Sequence, residues 1–191
     1  MKKVRDRTGL NLRLLGFIGG LLLLSIVFEV EKISAQLVEE YRVKAALILN
    51  CARFTQWPDN AFAGADEPCD LCVVGDTALE ASFRTVNGKD IGSRQLRVRF
   101  MRGAGDFQGC DAVFISKDID RSTALRILAD IRDRPVLTIG EMTDFARCGG
   151  VINFFNREGR LRLEINPGSA RRQGLKLSSR LLKLAVIVGD E

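Results

Sequence analysis

The stretch that decides the fold is Ala112-Val113-Phe114-Ile115-Ser116, then Ser122 to Ile131, then Pro135-Val136-Leu137-Thr138-Ile139-Gly140. The outer two runs are short and apolar, the pattern of strands buried on both faces. The middle run carries its apolar residues at helical steps. Strand, helix and strand in that order predict a parallel sheet covered on both sides.

The pattern extends upstream. Asp70-Leu71-Cys72-Val73-Val74-Gly75-Asp76 reads as a further buried strand, and Thr77 to Arg84 as the helix after it. Thr77 and Glu80 have the spacing of a capping box. Asn87-Gly88-Lys89-Asp90 is a turn, and Gln95 to Met101 alternates as a half-exposed strand. Glu39 to Phe54 is predicted to be a helix with Val43, Ala46, Leu47, Asn50, Cys51 and Phe54 inward, ended by Pro58.

Downstream, Val151–Asn156 and Arg160–Asn166 flank Glu158-Gly159 and predict a β-hairpin. A helical tail, broken at Gly174, is expected to bury Leu177, Leu181, Leu184 and Ala185. The fold class is therefore α/β: a single three-layer domain with a mostly parallel sheet, an added β-hairpin and a helical C-terminal tail.

Residues 1–35 have a different character. Lys2, Lys3, Arg5, Arg7 and Arg13 precede Leu14 to Phe28, which carries no charge. Basic and then apolar is the order of a secretion leader, and the apolar run is short of the roughly 20 residues a spanning helix needs. Ala35 and Ile33 would occupy the −1 and −3 positions of a cleavage site, with the domain as residues 36–191. The alternative is an uncleaved anchor of the same outward topology.

The formal charge of +5 and pI of about 9.1 would suit a nucleic-acid binder. The leader, however, holds six basic residues against three acidic ones, so residues 36–191 keep only two of the five charges. They show no basic stripe interleaved with aromatics, which argues against nucleic acid. Histidine is absent. That removes histidine-activated nucleophiles and histidine-ligated zinc. A hydrolase or redox enzyme would need a histidine-free mechanism or a reactive Cys69–Cys72 pair. We expect no enzyme activity and no cofactor.

Cysteines stand at 51, 69, 72, 110 and 148. Cys69 and Cys72 have C-x-x-C spacing, but Cys72 is predicted to open a strand, not a helix whose N-terminus would activate a thiolate. No second C-x-x-C supplies a zinc site. In an exported protein Cys72 is better paired with Cys110, both at the starts of buried strands that would lie side by side. Cys51 reads as a buried free thiol.

Several residues are candidates for binding. Arg53 would hold an anion or a partner carboxylate, or cap its helix. Trp57 is a recognition aromatic or a core plug. Glu141 lies at the carboxyl edge of the predicted sheet, where ligands bind in open α/β folds, or serves as a capping or pairing Glu. Asn153 and Asn166 lie on or beside the hairpin, with Asn166 also placed to cap the helix opened by Pro167. Gly103-Ala104-Gly105 with Gly109 lacks the strand–turn–helix context of a dinucleotide loop. Asp76, Asp111, Asp118 and Asp120 read as solvated loop acids, and Lys176, Arg180 and Lys183 as the tail's solvated side.

Taken together, Ala52-Arg53-Phe54-Thr55-Gln56-Trp57-Pro58, Leu71-Cys72-Val73-Val74-Gly75, Cys110-Asp111-Ala112-Val113-Phe114-Ile115, Pro135 to Glu141, Gly149-Gly150-Val151-Ile152-Asn153-Phe154 and Gly174 to Ala185 resemble the YfiR family of bacterial periplasmic proteins. The resemblance implies a non-enzymatic repressor that binds the periplasmic sensor domain of an inner-membrane diguanylate cyclase and so lowers cyclic di-GMP. It implies a homodimer, an outer-membrane OmpA-like lipoprotein as a second partner, and a disulfide between Cys72 and Cys110. Cys148 departs from the family pattern. The competing expectation is a periplasmic small-molecule-binding protein with no cyclase partner.

Overall fold

Every residue of Cys69–Val74, Ala112–Ile115 and Leu137–Gly140 is buried, as strands covered on both faces must be. A computed structural model of the chain describes residues 36–64, 66–76, 79–103 and 105–189. The chain divides into two units, Met1–Glu40 and Tyr41–Glu191. Of the first, residues 36–40 are described and are helical. The leader, its Ala35 boundary and the cap expected at Thr77 lie outside the described residues.

The second unit opens with helix α1 (residues 41–53) and strand β1 (Thr55–Gln56). It continues through β2 (Cys69–Val74), α2 (Glu80–Phe83), β3 (Asp90–Ile91), β4 (Arg94–Met101), β5 (Ala112–Ile115), α3 (Arg121–Asp130) and β6 (Leu137–Gly140). Then come β7 (Ile152–Arg157), β8 (Arg160–Ile165), α4 (Pro167–Arg172), β9 (Lys176–Leu177), α5 (Ser179–Leu182) and β10 (Val186–Ile187). Eight strands form one sheet in the order β10-β8-β7-β6-β5-β2-β4-β3. From β7 to β4 every pairing is parallel. The hairpin pairs β7 and β8 antiparallel, and β1 pairs with β9 in a separate two-stranded sheet. The expected α/β class holds.

Alternation along the strands sorts the core into two halves. Cys72, Val74, Val113 and Ile115 pack with Ile127, Ile131 and Phe145 on the α3 side. On the other side Phe114 meets the rings of Tyr41, Phe83 and Phe154. Asp120 caps α3 by accepting from the Thr123 amide at 3.0 Å, a role the sequence reading did not assign it. Glu158 (φ 55°) and Gly159 (φ 73°) both take the left-handed conformation that a two-residue hairpin turn requires.

Three expectations change. The buried face of α1 is Tyr41, Lys44, Ala45, Ile48, Leu49, Cys51 and Ala52, so Cys51 is buried as expected, while Val43 is 49% exposed and Ala46 and Asn50 face solvent. At Val43, Ala46 and Asn50 the expected stripe is turned from the core, and a lysine sits on the true one. Cys72 is the fourth residue of β2, and Cys110 precedes β5 by two. They are nonetheless joined, with their Cα atoms 5.9 Å apart. The tail is helical only in α4 and α5. Gly174 (φ 71°) stops α4 in a Schellman arrangement, with Leu175 N bonded to Ala170 O at 2.8 Å and Gly174 N to Arg171 O at 3.0 Å. Leu177 then enters β9, and Leu184 is 71% exposed. Backbone pairing with β1 and β8 displaces the helical stripe there.

Candidate functional site

Arg53 is the last residue of α1, and its Nε donates to the Asp90 carbonyl at 2.8 Å, tying the helix end to β3. The chain leaves through β1, where Gln56 stands opposite Lys176 of β9. The Schellman turn at Gly174 puts Lys176 in this position. Trp57 follows; its indole N–H donates to the Asp111 carbonyl at 3.1 Å, and its ring meets Phe62 edge-on with centroids 6.1 Å apart. Arg94, the first residue of β4, lies 3.9 Å over the Phe62 ring and donates to the carbonyls of Gly64 and Glu67, both at 2.7 Å.

These side chains line an open groove of about 770 Å³ that also touches Cys69 and Gly174. Among the described residues lining it, Arg53, Arg94 and Lys176 are the cations and Asp59 the acid. Positive charge beside aromatic faces suits an anionic, planar group. The groove lies at the amino ends of the parallel strands, since Cys69 and Arg94 are the first residues of β2 and β4.

Two carboxylates lie behind that edge. Asp70 is buried and accepts two bonds from Arg97, at 2.5 and 2.7 Å. Asp111 Oδ2 accepts the Asp70 amide at 2.7 Å. Burial, and then the Asp70 charge, push the Asp111 carboxyl up to about 6 despite that bond.

The opposite, carboxyl edge holds Glu141, but as the centre of a buried cluster. Its carboxylate pairs with Lys44, and the two side chains are 5% and 3% exposed. It also accepts from Tyr41 Oη at 3.2 Å and from the Lys117 amide at 3.3 Å. With its single proton given to Glu141, Tyr41 accepts from Ser116 Oγ at 3.1 Å. Burial holds the Tyr41 hydroxyl well above its ordinary range. Lys44 also sits 4.3 Å above the Tyr41 ring.

The structure thus brings Arg53 and Trp57 together and sets Glu141, Asn153 and Asn166 elsewhere. Asn153 is buried on β7 and donates to Glu164 at 3.1 Å. Asn166 caps α4 through Ser169 N at 3.0 Å and donates to the Ala146 carbonyl at 2.8 Å. Sequence reasoning missed Phe62, which the loop after Trp57 carries to the groove, and Arg94 and the groove role of Lys176, which reach it only through tertiary pairing. It also missed Lys44. The signal was there: Lys44 interrupts the stripe formed by Tyr41, Ala45, Ile48 and Ala52.

Among the described residues no helix is long and apolar enough to cross a membrane, and no cluster of His, Cys, Asp and Glu is arranged to hold a metal ion. The family described as YfiR/HmsC-like matches residues 41–186, well over half of the chain. The chain belongs to the YfiR/HmsC-like family. No curated protein matches it. The YfiR/HmsC-like match takes in the groove, the Glu141 cluster, the disulfide and the hairpin. At the level of the family it supports a periplasmic regulator of a diguanylate cyclase, acting as a regulator and not as an enzyme.

Proposed function

We propose that this chain is exported by its leader and represses an inner-membrane diguanylate cyclase by binding the cyclase's periplasmic sensor domain. Its loss would then raise cyclic di-GMP. Homodimer formation and sequestration by an outer-membrane OmpA-like lipoprotein belong to the same reading. The observation that carries it is the YfiR/HmsC-like match over residues 41–186. The test is deletion of the gene with cyclic di-GMP measured in the mutant and in a complemented strain. A rise reversed by complementation supports the proposal; unchanged levels in several media count against it.

The groove favours a second reading. A small anionic, planar ligand held between Arg53, Arg94 and the Trp57–Phe62 pair would tune the partner contact. Thermal-shift titration with aromatic carboxylates and phosphates tests it. The melting temperature should climb with concentration in the wild type and stay level in Arg53→Ala. No shift with any compound would remove the reading.

A further inference from the structure

The hairpin outruns the sheet it belongs to. Pairing of β7 with β6 covers Ile152 and Asn153, and pairing of β8 with β10 covers Glu164 and Ile165. The residues between them, Phe154–Arg157 and Arg160–Leu163, pair only with each other. They form a two-stranded ribbon whose outer edges are unpaired among the described residues. Its two faces differ. Phe154, Leu161 and Leu163 share the face that meets Phe114. The other face carries Arg157 directly opposite Arg160, and Phe155 directly opposite Arg162.

All three arginines are exposed, and none has an ion-pair partner among the described residues. Two like charges directly opposite across a strand pair weaken that pair. Among the described residues, that end of the ribbon pairs with no further strand, so no added sheet pairing offsets Arg157 against Arg160. Phe155, half-buried among the three cations, adds an apolar anchor. The free edges add unpaired backbone donors and acceptors, a template for one more strand.

We propose that this face of the β7–β8 ribbon docks an acidic, extended segment of a partner protein. The inference rests on the proposed function only for the identity of that partner. A protein segment fits better than a lipid surface because the ribbon offers backbone pairing as well as charge, and headgroups can use only the charge.

The test uses the purified chain and a fluorescein-labelled peptide of alternating Glu and Val, with the Lys-Val peptide and phosphatidylglycerol vesicles as comparison probes. The Glu-Val peptide should bind, weaken as salt is raised, and lose about tenfold or more in affinity to the R157Q/R160Q/R162Q variant. An R126Q/R180Q/K183Q variant, which removes as much exposed charge elsewhere, should bind as the wild type does. Equal losses in both variants would overturn the proposal. So would arginine-dependent binding to the vesicles with none to the peptide, which would make the face a membrane surface. Cyclic di-GMP separates the two readings. If deletion raises it but the ribbon variant represses normally, the docking face is wrong and the repressor reading stands. If the ribbon variant loses the peptide while deletion leaves cyclic di-GMP unchanged, the face stands and the repressor reading fails.

Discussion

Lys44 and Glu141, on α1 and just beyond β6, are paired with their side chains only 3% and 5% exposed. Such a pair gains little over apolar packing, but either half alone is an uncompensated buried charge. Lys44→Met should therefore destabilise the domain by about 3–5 kcal/mol, and K44M/E141L by much less. Urea unfolding of the two variants checks this. Equal losses would mean that packing, not charge, holds α1 to the sheet edge.

Reduction should expose how much the Cys72–Cys110 bridge contributes. The two residues are 38 apart in sequence, and a loop of that size constrains the unfolded chain by about 4 kcal/mol. The C72A/C110A variant should lose stability on that order. Non-reducing peptide mapping should recover the 72–110 pair. In the folded protein Cys148 should react quickly with a thiol reagent. Cys51, which burial pushes up to about 12, and Cys69, raised also by burial, should react only on unfolding.

Asp111 should give the stability profile an unusual slope. Its carboxyl holds its proton up to about pH 6 in the folded chain, but only to about 3.9 when unfolded. The folded state therefore binds more protons between those values, and this group's contribution falls as pH rises from about 4 through about 6. Asp111→Asn keeps an acceptor for the Asp70 amide and removes the charge. Its melting temperature should exceed the wild type's at pH 7–8, with the difference closing near pH 4. A constant difference across that range would show that Asp111 does not titrate as described.

Gly140 closes β6 against the Phe145 ring, where an added Cβ would meet a ring carbon at 2.5 Å. Gly140→Ala should cost about 1–3 kcal/mol through overpacking. Gly64→Ala, with nothing within 4 Å, should leave the melting temperature nearly unchanged.

The parallel sheet was legible because its strands are continuous apolar runs; Ala112–Ile115 needs no partner to be recognised. Local chemistry was legible too. Asn166 before Pro167 reads as a cap and is one, and Glu158-Gly159 reads as a hairpin turn and is one. What the chain does not write locally was lost. Strands β1 and β9 are two residues each and gain their pairing only from each other, so Lys176 could not be placed beside Arg53. Lys44 looks like a surface residue until Glu141, far along the chain, is put against it. Arg53, Trp57 and Phe62 lie within ten residues of one another, and Arg94 reaches the same groove from the start of β4.

Trp57 is the one tryptophan of the chain, and its indole lies on the groove wall with its N–H fixed to the Asp111 carbonyl. All tryptophan emission therefore comes from this wall. The molecule carries an intrinsic optical reporter of the amino edge: an occupant of the groove, or a change at Asp111, would alter its colour or quenching without any attached dye.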